Sequence, residues 1–188
     1  MLRVPVENLL AAFPVHVMAG SAELYPLTVG GAIVLGIYGV DFEREIRGET
    51  AILAGAVLSR AVSLADLADA RRCGKCLMRF ARRFRKQQAV LEDAVNLIVD
   101  KAFATRVPFL RTGGKVALSP SGLGWPLELA ESLCHEYGWS WKDVLETPVA
   151  TANALMAAAH QRLGGKFGGP DYIERIVIAR RKKGGANG

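Results

Sequence analysis

The sequence predicts a mainly α-helical protein, a bundle of amphipathic helices with a long central helix. Three observations carry that prediction. Leu77, Phe80, Phe84, Leu91, Val95, Ile98 and Ala102 step by three and four, the spacing that lines one face of a helix. Between Glu131 and Pro148, cap residues recur at intervals that leave room only for short helices and tight corners. Strand-like alternation is brief, beside His16 at Val15–Val17.

In chain order, residues 1–26 mix valines with Pro5, Pro14 and Pro26, which suits an extended arm or a small hairpin. The pattern allows a minor β-hairpin near this N-terminus, or at 109–118 around Thr112-Gly113-Gly114-Lys115. Residues 28–38 read as a buried helix capped by Thr28 and stopped by Gly39. From Asp41 onward, Phe42, Ile46, Leu53 and Val57 form one stripe, predicting a helix that ends near Val62. Gly48 and Gly55 weaken it by about 0.5–1 kcal/mol each unless they permit close packing. Ser63 with Asp66 spells a capping box. A long helix follows from about Leu64 or Arg71 to Thr105, its seam interrupted at Gln87–Gln88, and Pro108 ends it. Residues 106–124 read as a connector between an N-terminal helical region, 1–105, and a C-terminal module of three to four helices, 125–180. Residues 181–188 are expected to be a disordered tail.

The C-terminal module is the most explicit stretch. Leu129, Ala130, Leu133, Cys134 and Tyr137 stripe a helix, and Gly138 suits its left-handed C-cap. Ser140 with Asp143 caps a second helix. Thr147-Pro148 opens a third, with the proline expected in the first turn. Val149, Ala152, Leu155, Met156, Ala159 and Leu163 stripe that third helix, which stops at Gly164-Gly165. Tyr137, Trp139 and Trp141 fall at the first corner, where they serve as core pins or as partly exposed partner anchors.

Composition narrows the function. A chain of 188 residues that is 51% apolar and 22% charged is globular and large enough to bury a core. The net charge of +6 is unevenly spread: Arg71 to Lys86 holds eight basic and no acidic residues, and Arg180–Lys183 adds four more basic ones. The remainder is acidic. Arg79, Arg82, Arg83 and Arg85 therefore belong to a basic face that suits an acidic protein groove, the chain's own acidic body, plain solvent or a phosphate backbone. Phe80 and Phe84 lie on the apolar seam, so no aromatic on the outer side could stack bases, which favours a protein partner over nucleic acid. Residues 1–20 lack the basic start and apolar run of a secretory signal. The most apolar stretch, Tyr25–Val40, falls short of the roughly 20 residues a membrane helix needs, so no membrane partner is expected. Three cysteines without a signal fit reduced thiols in a cytoplasm.

Motifs for chemistry are sparse. Cys73-Gly74-Lys75-Cys76 has the spacing of a zinc or redox pair. Zinc needs four ligands, and the completions from Cys134 with His135, His16 or His160 are awkward, so two ordinary helix cysteines are the expectation. The glycine loops at Ser119–Gly124 and Gly164–Gly169 lack phosphate-cradling spacing, and no catalytic constellation emerges. The expectation is a non-enzymatic protein without a cofactor.

A helix ending in Tyr137-Gly138-Trp139, a capped turn through Val144-Leu145-Glu146-Thr147-Pro148 and an alanine-rich helix together resemble the tail assembly chaperones of tailed bacteriophages and prophages. Gly168-Gly169-Pro170-Asp171-Tyr172-Ile173 and a weaker echo at Leu27–Phe42 fit the same pattern. The resemblance covers mainly residues 125–175, through packing and capping signatures. It implies a protein of the host cytoplasm that coats the long helical tape-measure protein before tail-tube polymerisation and then leaves. Self-association is compatible with that role, and a basic nucleic-acid-binding adaptor of a phage or mobile element is the alternative.

Overall fold

A computed structural model describes residues 15–62, 66, 69–103, 124–162, 176 and 178–180. The 109–118 hairpin, the Ser63 cap, the Gly164-Gly165 stop, the 168–173 segment and the tail at 181–188 lie outside these residues. Strands β1 (Val17–Ala19) and β2 (Ala22–Leu24) pair antiparallel, with Val17 opposite Leu24 and Ala19 opposite Ala22. The hairpin near the N-terminus is thus present. Gly20, at φ +57, takes the first loop position, where a two-residue turn needs a left-handed residue. Arg83 reaches over this turn, donating from Nη2 to the Ser21 carbonyl and to its hydroxyl, both at 2.7 Å.

Helix α1 (Val29–Ile37) starts where the Thr28 hydroxyl accepts the Gly31 N–H at 3.0 Å. It ends before Gly39, at φ +79. Helix α2 (Gly48–Leu58) begins later than the apolar stripe predicts. Phe42 and Ile46 are buried as the stripe requires, but in a loop. The Ile46 N–H donates to Asn96 Oδ1 at 3.0 Å, and Asn96 Nδ2 donates to the Ile46 carbonyl at 2.9 Å. Side chains thus satisfy backbone groups that a helix would otherwise have paired internally.

The predicted long helix is two helices, α3 (Ala70–Phe84) and α4 (Gln88–Phe103), divided at the interruption of the seam. Asp69 caps α3 by accepting the N–H groups of Arg71 and Arg72, each at 3.0 Å. The reason for the break lies at Gly55 of α2. A Cβ there would lie 2.7 Å from Leu91 Cδ1 and 3.1 Å from Phe80 Cε1. In a straight helix Phe80 and Leu91 would stand about 16 Å apart. The bend lets both close on one glycine.

Helices α5 (Trp125–Tyr137), α6 (Trp141–Glu146) and α7 (Val149–Arg162) form the C-terminal module. Gly138 is left-handed at φ +64, and its N–H donates to the Cys134 carbonyl at 2.9 Å. The Ser140 hydroxyl accepts the Asp143 N–H at 3.2 Å. Pro148 sits one position earlier than predicted: its carbonyl accepts the Ala152 N–H at 2.9 Å, so it is the N-cap of α7. The starts of α1 and α7 are tied by two antiparallel backbone bonds, Val29 N–H to Thr147 O and Val149 N–H to Leu27 O, both 2.9 Å.

In packing order, α3 lies on α2; α2 lies on α1 and α4; α1 carries α5 and α6; and α7 packs on α4 and α5. One contiguous core runs through all of them, including Phe84, Leu91, Phe103, Leu133, Val144 and Ile176. Phe42, Phe103 and Trp125 form an aromatic triad with centroids 5.4–6.1 Å apart.

The outer edge of α4 carries polar groups every fourth residue: Glu92, Asn96 and Asp100. Arg180 closes this ladder, donating to Asp100, to Asn96 Oδ1 at 2.8 Å, and to the carbonyls of Phe42 and Arg44 at 3.1 and 3.0 Å. At the other end, the Gly48 N–H bond, with Gln88 and the Arg47 charge, holds the Glu92 carboxyl below the ordinary glutamate range. A lowered folded-state pKa stabilises the fold above the unfolded value and loses that contribution as pH falls through the folded one. Glu92→Gln should therefore be less stable than wild type at neutral pH. The gap should begin to shrink below about pH 4.3, where the unfolded carboxyl protonates, and vanish only once pH falls below the lower folded-state value. Urea titrations on both sides of that pH check it; a gap that does not change with pH would refute the assignment.

Candidate functional site

The corner between α5 and α6 divides its three aromatics. Tyr137 donates its hydroxyl to the Leu155 carbonyl at 2.6 Å, bracing α5 against α7. Its ring lies 5.6 Å from that of Trp139, which is partly buried against the core. Trp141 is 48% exposed. One tryptophan is in and the other out. Trp139→Ala is expected to cost about 2 kcal/mol, below the 3–5 of a fully buried tryptophan. Trp141→Ala should stay within about 0.5 kcal/mol of wild type. Chemical denaturation of the two variants decides it, and equal losses would show that exposure misplaces them.

Helix α3 separates its faces cleanly. Cys73, Phe80 and Phe84 are buried toward α2, with Leu77 partly buried beside them. Arg71, Lys75, Arg79 and Arg82 are all exposed, and their spacing holds them within about 80° of arc. Among the described residues none of these four has an ion-pair partner. Met78, 55% exposed, lies at the edge of the same ridge. Arg85 is exposed just beyond the helix. Arg83 is committed to the hairpin turn, and Arg72 pairs with Asp66 at 2.6 Å. Of the four arginines singled out by sequence, Arg79, Arg82 and Arg85 face solvent, whereas Arg83 has a structural partner.

Cys73 and Cys76 lie one turn apart on α3, the first buried and the second half-buried. Burial pushes the Cys73 thiol up, which opposes the thiolate that redox or metal chemistry uses. Among the described residues, no three His, Cys, Asp or Glu side chains stand where they could jointly hold a metal ion. An apolar recess lined by Val15, Leu27, Ile98, Ala102 and Pro148 measures ≈ 20 Å³, room for a water rather than a substrate.

One surface cluster had no signal in the sequence. His16 Nδ1 lies 2.8 Å from Glu23 Oε1, Tyr25 donates to the same carboxylate at 3.1 Å, and the Arg60 guanidinium stacks 4.3 Å over the Tyr25 ring. The hairpin brings these residues together, and it staples β2 to the end of α2, where Tyr25 N–H donates to the Leu58 carbonyl at 2.9 Å. No described helix is long and apolar enough to cross a membrane.

The chain matches no family model, no curated protein and no solved structure. Geometry and sequence pattern carry the functional reading.

Proposed function

We infer that this is a non-enzymatic binding protein, a phage or prophage tail assembly chaperone that holds the tape-measure protein in the host cytoplasm during tail morphogenesis. The observation that carries the reading is Trp141: a half-exposed tryptophan on a corner fixed by a glycine C-cap, a serine N-cap and the Tyr137–Leu155 bond. A rigid corner presenting one large aromatic supplies contact area at little entropic cost, which is how interface hot spots are built. An amphipathic helix of the tape-measure protein is the partner such an anchor suits.

The exposed cations of α3 favour a second reading, an adaptor that binds nucleic acid. Two calorimetric titrations separate the readings, one with an amphipathic tape-measure fragment and one with duplex DNA. The chaperone reading expects the fragment to bind at physiological salt and Trp141→Ala to weaken it at least tenfold. It expects DNA to bind weakly, with little left near 0.15 M salt. Tight DNA binding abolished by Arg79→Glu, Arg82→Glu and Arg85→Glu, with no fragment binding, would replace it with the adaptor. Arg83 is kept in this test because it holds the hairpin turn.

A further inference from the structure

Opposite charges stand on different helices of the bundle. From Trp125 to Glu146 the chain has five acidic residues and one lysine, and Glu131, Glu136, Asp143 and Glu146 are exposed. From Ala70 to Lys86 it has eight basic residues and no acidic one. Among the described residues no ion pair joins the two surfaces within one molecule. Helix α3 packs on α2, α2 packs on α1, and α1 carries α5 and α6.

We propose that copies of this protein associate head to tail, the cationic ridge of α3 in one copy seated on the acidic face of α5 and α6 in the next. The ridge is matched in sign and number: Arg71, Lys75, Arg79 and Arg82 against Glu131, Glu136, Asp143 and Glu146. The ridge cations have no ion-pair partner among the described residues, so docking breaks no existing pair on the ridge. Met78 gives the ridge a flexible apolar contact that can pack on the aliphatic stems of facing glutamates.

Other occupants of the ridge fit less well. A membrane would need an apolar face beside the cations, and Phe80 and Phe84 are turned into the core. Single-stranded nucleic acid would need exposed aromatics for stacking, and the ridge has none. The net charge of +6 repels approaching copies, but that repulsion is spread over the molecule and screened. Facing pairs at about 4 Å are screened far less, so local complementarity decides the sign.

The contact joins two different patches, so each added copy leaves one ridge and one acidic face open, and the array can extend. A contact made largely of charges is small and weak, which means association should depend steeply on salt. Trp141 stands about 140–160° around α6 from Glu146 and Asp143, so the ridge meets another side of α6 than the anchor, and the inference stands or falls separately from the chaperone reading.

Sedimentation equilibrium of the full chain tests it at low salt, roughly 0.05 M, and high salt, roughly 0.5 M. The wild type should gain mass with concentration at low salt and be monomeric at high salt. Two reversal variants, Arg79→Glu with Arg82→Glu and Glu131→Lys with Glu136→Lys, should each associate at least tenfold more weakly. Mixed in equal amounts they should regain association, because each reversed patch then meets a reversed partner. Trp141→Ala should associate like wild type. Circular dichroism checks the fold of each variant; if a reversal does not fold, the neutral pair Arg79→Gln with Arg82→Gln should show the same weakening. A wild type monomeric throughout, or a mixture that stays monomeric while both variants are folded, overturns the proposal. Association indifferent to the ridge changes, with loss of duplex DNA binding instead, assigns the ridge to nucleic acid and overturns it as well.

Discussion

Arg180→Ala is expected to lower stability by about 3 kcal/mol, roughly the cost of breaking a hydrogen-bonded charge network that is mostly removed from water. The Arg180 side chain is only 12% exposed. Its guanidinium gathers acceptors from three places: the 42–44 loop, Asn96 and Asp100. Truncation leaves the Phe42 and Arg44 carbonyls short of donors and frees the loop that carries Phe42 into the aromatic triad. Arg180→Lys should recover less than half of the loss, because a single ammonium cannot span acceptors that a planar fork reaches together. Equilibrium urea unfolding of both variants measures this. A loss under about 0.5 kcal/mol for the alanine variant would mean the network is ornamental, as many exposed ion pairs are.

The second large effect is at Gly55, where Gly55→Val should cost on the order of 3 kcal/mol, the upper part of the range for overpacking a filled core. Any Cβ would meet Leu91 and Phe80 at 2.7 and 3.1 Å, and these side chains come from the two helices that converge on α2. Gly55→Ala should cost less, about 1–2 kcal/mol, because the gain in helix propensity offsets part of the clash. Gly74 is the control. It lies inside α3 with open space where a Cβ would go, so Gly74→Ala should stabilise by about 0.5–1 kcal/mol. Thermal melts of the three variants should diverge in sign, and a stabilising Gly55→Ala would show that the helices do not close there.

Caps were the most legible feature of the sequence, because they act within a few residues. Thr28, Gly39, Gly138 and Ser140 each do locally what their residue type dictates. The apolar periodicity of α3 and α4 was equally legible, as was the basic face. The same local logic failed where distant groups compete for the backbone. Phe42 and Ile46 follow a helical stripe, yet Asn96 and Arg180 offer their segment hydrogen bonds from outside, and it stays a loop. The bend between α3 and α4 shows only as an interrupted seam; what requires it is the approach of Phe80 and Leu91 to Gly55.

The candidate surfaces divide in the same way. Sequence by itself determined that Tyr137, Trp139 and Trp141 meet at a corner, and that α3 is basic on one side and apolar on the other. Only the tertiary structure decided that Trp139 packs inward while Trp141 stays half-exposed, and that Arg83 is spent on the hairpin while Arg79 and Arg82 face water. It also decided that the basic and acidic surfaces form no ion pair with each other among the described residues. The physical reason is range: caps and periodicity are set by neighbours along the chain, whereas exposure and the pairing of charges depend on which helices come to lie together.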